Sequence, residues 1–517
     1  MKKIILPLLL VVLGTGLQAQ QNKVVDRIIE LGQTDNRTMH HLDVVSNRFG
    51  GRLVGSDAYE NAAEWCASQF RSWGMDVIMD EAGTVPVGFN RGPWFGRMLS
   101  DNGMVLHFAT PSYTAGTKGV QRGHVLPEPK SREEFDRMKG ALKGAWVLIG
   151  GKNDGWPIDW SPKADSIRAS IIVWNDSVAR INRDIMRENM MNRANPPKEL
   201  HPLKEEPALF YREMVEAGIL GVIQSSEVPI RALYDRKNLD RITFDNLPTV
   251  CDIKLDEDQY EVIAEMAKER QYFLLEFDIR NHFKPGPVKY YSVIGVIKGK
   301  KYPDEYVMMG GHLDAFDVAT GGVDDGSGLS PTMEAARLIM AAGGKPDRTI
   351  LACLWAGEEF GLLGSKHWVE TNKDKLPKIS NYFNRDGGPT PAMGITVPEA
   401  MFGDFEKISK PLNNINPELP FTLKKRTEPA RPRPATAGGS DHAYFAMNGV
   451  PTLRFDEPDV KGYNFNYGEI WHTERDTYDK SIVEYQEHTS VVTAVLVYGL
   501  ATLDHILSRE GLYSEEK

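Results

Sequence analysis

Apolar and polar positions give the C-terminal half of the chain a regular alternation of strands and helices. Short apolar runs predict strands at residues 291–297, 306–310, 349–356 and 379–384. Helical spacing of apolar residues predicts helices after Gly328, Gly361 and Ser481. Apolar strands that alternate with helices are typical of a mostly parallel sheet with helices on both faces, so we predict an α/β fold.

The N-terminal half has two further patterns. Residues 24–79 have mainly helical spacing, interrupted by the glycine-containing loop 49–56. Between 115 and 282, strands are predicted at 145–149, 218–224 and 247–250, and helices at 211–217 and 256–269. Val178, Ile181 and Ile185 indicate one amphipathic helix within 155–207, which either packs on the domain or forms a lid. We therefore predict a small α/β domain at 115–282, inserted into a larger domain formed by 20–114 and 283–517.

The first nineteen residues have the pattern of a secretory signal peptide. Lys2 and Lys3 precede an apolar run at 4–13, and small and polar residues follow as far as Ala19. This run is too short to cross a bilayer, which takes roughly 20 apolar residues, and no later segment has a membrane-spanning pattern. A buried N-terminal helix is the alternative interpretation. We expect a secreted or periplasmic protein that is cleaved near Ala19.

Composition excludes some classes of function. The chain has 517 residues and a net charge of -10, which argues against a nucleic-acid partner because such proteins carry a concentrated basic face. Its three cysteines, Cys66, Cys251 and Cys353, are odd in number and widely spaced, so a disulfide framework is not expected. Cys66 and Cys353 lie in apolar segments, where we expect buried side chains.

Acidic residues and histidines follow the predicted strands in several places. A motif such as Asp-Asp-Gly at 324–326 or Glu-Glu at 358–359 is, by itself, more often a turn or a solvated helix start. Here several such motifs occur together at strand ends, where ligands bind in α/β sheets. So many acids close together require cations to neutralise them, and their oxygen and nitrogen atoms suit a divalent metal. The residues concerned are His312, Asp314, Asp324, Asp325, Glu358, Glu359, Asp386 and His472.

These motifs resemble those of the co-catalytic zinc exopeptidases of peptidase family M28. The resemblance rests on Gly-His-Leu-Asp at 311–314, Asp-Asp-Gly at 324–326 and Gly-Glu-Glu at 357–359. It covers most of the chain, including loop 49–56, and within the family it is strongest to carboxypeptidase Q and to bacterial leucyl aminopeptidases. It implies the zinc exopeptidase fold, with 115–282 as a protease-associated domain.

The resemblance also implies a site with two zinc ions. Asp324 would bridge the two ions, Glu359 and His472 would complete one site, and His312 and Asp386 would complete the other. The peptide bond between Asp324 and Asp325 is expected to be cis.

The same resemblance implies a mechanism. A hydroxide held between the two ions would attack the scissile carbonyl, with Glu358 as the general base. Asp314 would hydrogen-bond the far ring nitrogen of His312 and fix its tautomer.

Residues late in the chain leave alternatives open. His442 competes with His472 for the last ligand position. His472 is preferred because His-Thr at 472–473, followed by Asp-Thr at 476–477, resembles the final motif of the family. Asp441, His442 and Tyr444 would then line the substrate cleft, where Tyr444 could help to stabilise an oxyanion, although purely structural roles are equally compatible with the sequence. Arg431 and Arg433 either grip a substrate carboxylate or lie on a solvated loop.

The function that we predict is a secreted exopeptidase acting on peptides or dipeptides, with an aminopeptidase preferred. A carboxypeptidase Q-like dipeptidase is the main alternative. A non-catalytic binding protein on the same scaffold and a glutaminyl cyclase, which works with one zinc ion, are further alternatives. We expect no nucleic-acid partner and no membrane span, and the resemblance allows a homodimer.

Overall fold

A computed structural model of the chain describes residues 22–99, 103–192, 197–234, 239, 241–463 and 465–514. The predicted signal peptide at residues 1–19 lies outside the described residues. Within them, no helix is both long and apolar enough to pass through a membrane. The strands are β1 Asp76–Asn90, β2 Trp94–Leu99, β3 Phe108–Ala109, β4 Gln121–Pro127, β5 Ala145–Lys152, β6 Gly221–Ser226, β7 Cys251–Asp256, β8 Leu274–Ile279, β9 His282–Ile297, β10 Tyr302–His312, β11 Arg348–Trp355, β12 Ile379–Asn384, β13 Gly394–Val397, β14 Thr422–Lys425 and β15 Phe455–Asp456.

Helices connect these strands and frame the sheets. Short 3-10 turns at 376–378, 410–414, 467–469 and 478–480 add to them, and a π-helical segment covers Asp43–Phe49. The α-helices are α1 22–34, α2 Thr38–Leu42, α3 Asp57–Ser72, α4 Arg132–Leu142, α5 Pro162–Asn192, α6 Tyr211–Ala217, α7 Glu257–Lys268, α8 Gly326–Ala341, α9 Leu363–Thr371, α10 Glu399–Ser409, α11 His442–Met447 and α12 Val483–Ala501.

The chain divides into two compact units. The first unit comprises residues 1–85, 287–471 and 475–517, and the second comprises 86–286 together with 472–474. Strands β2 and β3 belong to the second unit because they pair with β8 and β7. The second unit therefore begins before residue 115, where we predicted the inserted domain to start.

The first unit is built on a five-stranded sheet with the order β1-β9-β11-β10-β12. Strand β10 runs parallel to both β11 and β12, whereas β9 pairs antiparallel with β11. All eight residues of β11 are buried. Nearly the whole surface of α12 is buried too, as expected for a sheet that helices cover. The α/β fold predicted for this part is confirmed.

The second unit has a seven-stranded sheet with the order β2-β8-β4-β5-β6-β7-β3. Its central strands β4, β5, β6 and β7 are parallel. Helix α4 connects β4 to β5, α5 and α6 lie between β5 and β6, and α7 connects β7 to β8. Two apolar clusters stabilise the unit, one around Trp146 and Phe277 and the other around Phe135 and Phe210. Helix α5 covers the helix predicted within 155–207, but of the apolar residues that indicated it Val178 is buried and Ile181 is exposed.

Most predicted elements occur where the sequence placed them. Residues 379–384 and 211–217 form a strand and a helix with the predicted bounds, and the helices after Gly361 and Ser481 begin at Leu363 and Val483. The strand predicted at 247–250 is wrong, because the ladder with β6 is formed by 251–256 instead. Pro248 lies in the predicted run and has no N–H to donate to a ladder. The region 24–79 is helical only to Ser72, since β1 begins at Asp76.

All three cysteines are free and buried. Cys66 and Cys353 are fully buried, and burial raises the pKa of the Cys66 thiol to about 12. These side chains therefore act as small hydrophobic residues of the core, as predicted.

Candidate metal centre

The candidate ligands of the first unit lie where three neighbouring strands end. His312 is the last residue of β10, Glu358 and Glu359 follow β11, and Asp386 follows β12. Because β10 is parallel to both of its neighbours, the carboxyl ends of all three strands meet at one edge of the sheet. Strand order thus brings together residues that are far apart in sequence.

Acids converge on the imidazole of His312. Its Nε2 lies 3.1 Å from Asp324 Oδ1 and 3.9 Å from Asp386 Oδ2. Ligand atoms of His312, Asp324 and Glu359 all lie within 4.8 Å of one another, and so do those of His312, Glu358 and Asp386. Two donors of one zinc ion are separated by no more than roughly 4.4 Å, because each bond is about 2.0–2.2 Å long. The described side chains therefore form two overlapping donor groups, each within a few tenths of an ångström of the size that one zinc ion requires.

The loop before α8 carries two aspartates with different environments. The peptide bond between Asp324 and Asp325 is cis, as the resemblance predicted. Asp325 is buried, and its Oδ2 accepts a hydrogen bond from the backbone N–H of His312 at 2.9 Å. A Cβ atom at Gly311 would lie 2.2 Å from Asp325 Oδ2, and one at Gly328 would lie 2.4 Å from Oδ1. Glycine at both positions is thus required for the Asp325 carboxylate to fit.

Asp314 connects two of the ligand-bearing segments. Its carboxylate accepts hydrogen bonds from the backbone N–H groups of Glu358 and Glu359, at 3.1 and 3.2 Å. The Nδ1 atom of His312 is 2.9 Å from the backbone carbonyl oxygen of Asp314 and 3.7 Å from its carboxylate. We predicted a hydrogen bond to the carboxylate, but the carbonyl is the nearer partner. It can fix the same ring tautomer, with the proton on Nδ1.

Asp476 supports the segment that carries Asp324. Its Oδ1 accepts hydrogen bonds from the backbone N–H groups of Val323 and Asp324, at 2.7 and 3.3 Å. Burial raises the pKa of Asp476 to about 8, and the nearby Asp324 adds to the effect. The sequence gives no sign of these contacts, because Asp476 and the backbone groups that it binds are about 150 positions apart.

Arg52 is a further residue that the sequence analysis missed. Its fully buried guanidinium donates hydrogen bonds to the carbonyl oxygens of Leu313 at 2.7 Å, Thr320 at 3.0 Å and Gly321 at 3.2 Å. It therefore joins the first residue of the loop between His312 and Asp324 to the later part of the same loop. The glycines of loop 49–56 marked it as a loop in the sequence. The contacts of one arginine within it could not be predicted, because no sequence spacing relates Arg52 to the segment that it binds.

Burial and mutual repulsion raise the pKa values of acids in this cluster. The pKa of Glu358 is well above its ordinary value because of burial, with repulsion from Asp386 and Glu359 partly offset by His312. Burial also raises the pKa of Asp325 well above its ordinary value. A bound cation would remove this repulsion, and one imidazole with several carboxylates is a donor set that fits zinc and similar divalent ions.

The three predicted substrate residues differ in their surroundings. Asp441 is fully buried and accepts a short hydrogen bond from the Ser365 hydroxyl. Burial raises its pKa to about 7, with further contributions from Asp314 and Asp386, so Asp441 belongs electrostatically to the acid cluster.

His442 and Tyr444 lie farther along α11. Burial and the neighbouring Arg454 lower the pKa of His442 to about 4, so its ring is neutral at physiological pH. Tyr444 packs against the apolar cluster around Trp355 and Trp368, with the Lys366 ammonium 6.0 Å from its ring centroid. A role for either residue in substrate binding stays a prediction.

His472 has a left-handed backbone conformation, with φ of 60°. With Thr473 and Glu474, it groups with the second unit. Thr473 forms an antiparallel bridge with Arg231, and the backbone N–H of Ile230 donates to Glu474 at 3.0 Å. The place of His472 as a metal ligand stays a prediction.

The chain is similar in sequence and in structure to known proteins. Residues 292–496 match the sequence model described as Peptidase family M28. The chain is 21% identical over 493 residues to carboxypeptidase Q of Mus musculus, covering 94% of this chain and 90% of that protein.

Two solved structures are similar over nearly the whole chain. One is a peptidase M28 precursor from Shewanella amazonensis SB2B, with 20% identity, a TM-score of 0.56, and coverage of 95% of this chain and 98% of that one. The other is BSAP, a zinc aminopeptidase from Bacillus subtilis, with 16% identity, a TM-score of 0.51, and coverage of 92% and 97%. At these identities the likeness shows a common fold.

Proposed function

We propose that this chain, which belongs to peptidase family M28 through residues 292–496, hydrolyses the terminal peptide bond of peptides as a zinc-dependent exopeptidase. The observation that carries the proposal is the meeting of His312, Asp324, Glu359 and Asp386 at one sheet edge, with Glu358 among them. A cluster of this composition, with His312 and Asp324 buried and the other acids half-buried, is costly without cations, and family membership supplies the chemistry that uses them.

The proposed ligands divide into two sites that share one carboxylate. Asp324 would bridge two zinc ions, Glu359 and His472 would complete one site, and His312 and Asp386 the other. When bound, the zinc ions would polarise the scissile carbonyl and lower the pKa of the attacking water. The 3.1 Å separation between His312 Nε2 and Asp324 Oδ1 supports the pairing of these two residues at one ion.

Glu358 is proposed as the proton carrier. It would take a proton from the attacking water and deliver it to the nitrogen of the leaving amine as the C–N bond breaks. Burial favours the protonated form of this carboxyl, which suits a group that must hold the proton before returning it. The two N–H groups bound by Asp314 fix the backbone of Glu358 and Glu359, which makes Asp314 a positioning residue.

Aminopeptidase activity is our first choice of mode, and Asp441, His442 and Tyr444 are the residues proposed to line the cleft. The name of the Bacillus subtilis structure supports this mode, whereas the name of the mouse relative favours a carboxypeptidase Q-like dipeptidase. Hydrolysis of free and N-acetylated tripeptides separates the two modes. Release of the C-terminal residue from the acetylated peptide would show that the aminopeptidase assignment is wrong.

We also propose roles for the N-terminal segment and for the inserted α/β unit. Residues 1–19 would be a signal peptide that directs the protein out of the cytoplasm, and the inserted α/β unit would be a protease-associated domain. N-terminal sequencing of the mature protein from its native host tests the first proposal. A mature chain that keeps Lys2 and Lys3 would contradict it.

A chelator experiment tests the proposed function as a whole. The purified protein should cleave a mixed peptide library, lose this activity after chelation, and regain it when zinc is added. The E358Q variant, treated identically, controls for a contaminating peptidase. Metal analysis addresses the remaining alternatives, because one tightly bound zinc per chain would favour a glutaminyl cyclase, and unchanged peptides would favour a non-catalytic binding protein.

A further inference from the structure

A short segment late in the chain is attached to the second unit. Residues 472–474 group with that unit, although the residues on both sides of them in the sequence belong to the first. Thr473 forms an antiparallel bridge with Arg231, and the backbone N–H of Glu474 donates to the carbonyl oxygen of Ile230 at 2.9 Å. Main-chain contacts therefore fix this segment one and two residues after its first position.

The side chain of Glu474 adds to this attachment. Its Oε1 accepts a hydrogen bond from the backbone N–H of Ile230 at 3.0 Å, and its Oε2 lies 2.8 Å from His107 Nε2. The contact with Glu474, with a further contribution from Asp256, raises the pKa of His107 to about 9. The imidazole is therefore charged at neutral pH, and its hydrogen bond to the carboxylate is of the strong, charge-assisted kind.

His107 is itself anchored to two regular elements of the second unit. Its Nδ1 lies 3.1 Å from Oδ2 of Asp256, the last residue of β7, and its carbonyl oxygen accepts the backbone N–H of the same residue at 3.0 Å. Its own backbone N–H donates to Gln259 Oε1 at 2.7 Å, in the first turn of α7. Glu474 thus binds a side chain whose position is already fixed.

His472 has a backbone conformation that needs support from its surroundings. Its φ is 60°, in the left-handed region that residues with a Cβ atom adopt rarely. Such a residue keeps this conformation only where neighbouring contacts fix the chain, and residues of this kind occur mostly at functional sites. The contacts of Glu474 fix the chain two positions later. Without them, the backbone at His472 could relax to an ordinary conformation and carry the imidazole elsewhere.

We propose that Glu474 is a positioning residue for the imidazole of His472, and that His107 acts through Glu474. A zinc–nitrogen bond is about 2.0–2.1 Å long, so the backbone that carries a histidine ligand must be held accurately. Groups that only orient a metal ligand change metal affinity about 10–100-fold. This inference rests on the proposed function, in which His472 completes one zinc site, and it adds the residues that hold this ligand in place.

Zinc titration of the zinc-free protein tests this role without an assay of activity. Calorimetry of the wild type should show two ions per chain. In E474A one ion should bind about tenfold to a hundredfold more weakly, and the other should keep its wild-type affinity, because only one site contains His472. E474Q keeps the size and one acceptor oxygen of the side chain, so its loss should be smaller. Wild-type affinity for both ions in E474A overturns the proposal.

Circular dichroism shows whether E474A is folded. If it is unfolded, E474Q takes its place, and wild-type affinity for both ions in E474Q then overturns the proposal. H107Q should weaken the same ion as E474A. Combining H107Q with E474A should produce no further loss, because both changes remove one contact. Losses that add up in the double variant would show that His107 does not act through Glu474.

A second ion pair of the same unit provides the matched control. Arg132 Nη2 lies 3.1 Å from Glu213 Oε1, and both side chains are partly exposed, as are those of His107 and Glu474. E213Q removes this pair and should keep both zinc affinities. Equal weakening of zinc binding in E213Q and E474Q would reflect a general destabilisation of the unit, and it would overturn the proposal.

The H472A variant separates the inference from the proposed function. If H472A binds both ions as tightly as the wild type, the ligand assignment of the proposed function fails, and the inference fails with it. If H472A loses one ion whereas E474A and E474Q keep both, only the inference fails. Peptide cleavage is decided separately. A protein that cleaves no peptide, but in which E474A weakens one ion selectively, would contradict the proposed function and support the positioning role.

Discussion

The carboxylate of Asp314 accepts a hydrogen bond from the backbone N–H of Glu358 at 3.1 Å. Its second oxygen accepts from the next N–H along the chain, so one side chain fixes the turn that follows β11. This side chain is itself anchored two residues after His312. The end of β10 and the end of β11 are thus held in one relative position by a single carboxylate.

Removal of this carboxylate should affect activity and stability together. Asp314→Ala leaves two N–H groups of a half-buried turn without their acceptor, which costs about 1–3 kcal/mol for each group that water cannot reach. We expect a lower free energy of unfolding and a decrease in kcat of about a hundredfold, measured by urea titration and by peptide hydrolysis. Asp314→Asn retains one acceptor oxygen and should lie between the alanine variant and the wild type. Wild-type kcat in the alanine variant would contradict a positioning role.

Glu358→Gln tests proton transfer directly. The amide keeps the size of the side chain but cannot accept the proton of the attacking water, so turnover should fall about a hundredfold to ten-thousandfold. Zinc content, measured by elemental analysis, should stay at the wild-type level. The matched variant E359Q should instead lose zinc. Activity of E358Q within tenfold of the wild type would mean that another group is the base.

The last metal ligand is decided by a pair of histidine variants. His472→Ala should lower the zinc content from about two ions per chain to about one, because a site with a missing ligand binds its ion weakly. His442→Ala should keep both ions and change mainly KM. The opposite result would transfer the ligand role to His442, whose neutral ring is equally able to bind a metal.

Arg52 should be far more important for stability than an exposed arginine. Its guanidinium donates to the carbonyl oxygens of Val45, Gly50, Leu313, Thr320 and Gly321. Arg52→Met leaves buried acceptors unpaired, and we expect the free energy of unfolding to fall by about 3 kcal/mol or more. Arg71→Met on α3 is the matched control and should change it by less than about 0.5 kcal/mol. Urea unfolding of the zinc-free protein provides the measurement.

His107 should make the stability of the second unit depend on pH. Hydrogen bonds to Glu474 and Asp256 raise its pKa from 6.5 to about 9. A raised pKa in the folded state gives stabilisation that is complete below pH 6.5 and is lost as the pH rises through 9. The difference in unfolding free energy between wild type and His107→Gln should therefore be larger at pH 6 than at pH 10. A difference that does not change with pH would show that the charge of His107 contributes nothing.

Much of the fold could be predicted because its signals are local. Apolar runs such as 379–384 fix strand positions, and the acids that follow these strands stand out against an apolar background. The order of strands in the sheet then brings His312, Glu358 and Asp386 together. Short stretches of sequence are therefore enough to predict whether a segment is a helix or a strand and which polar residues follow each strand.

What could not be predicted depends on contacts across long separations. Three of the five carbonyl oxygens bound by Arg52 lie on a segment more than 250 positions away, and no spacing rule connects them. The partner of the His312 ring was predicted as a carboxylate because of its position two residues on, yet the backbone carbonyl of the same residue lies closer. The strand at 251–256 was missed because the prediction followed the apolar run at 247–250, whereas the position of the strand is set by its hydrogen bonds to β6.

The space around the Asp325 carboxylate has a consequence for how sequences on this scaffold can vary. Gly311 can gain a side chain only if that carboxylate moves or is replaced by something smaller. At Gly328 this is not enough, because an added Cβ would also lie 2.1 Å from the backbone carbonyl oxygen of Arg385. Gly311 and the aspartate are therefore expected to change together. In a chain that has kept the fold, alanine or serine at the position of Gly311 would signal that the carboxylate is no longer in place, before any ligand is inspected.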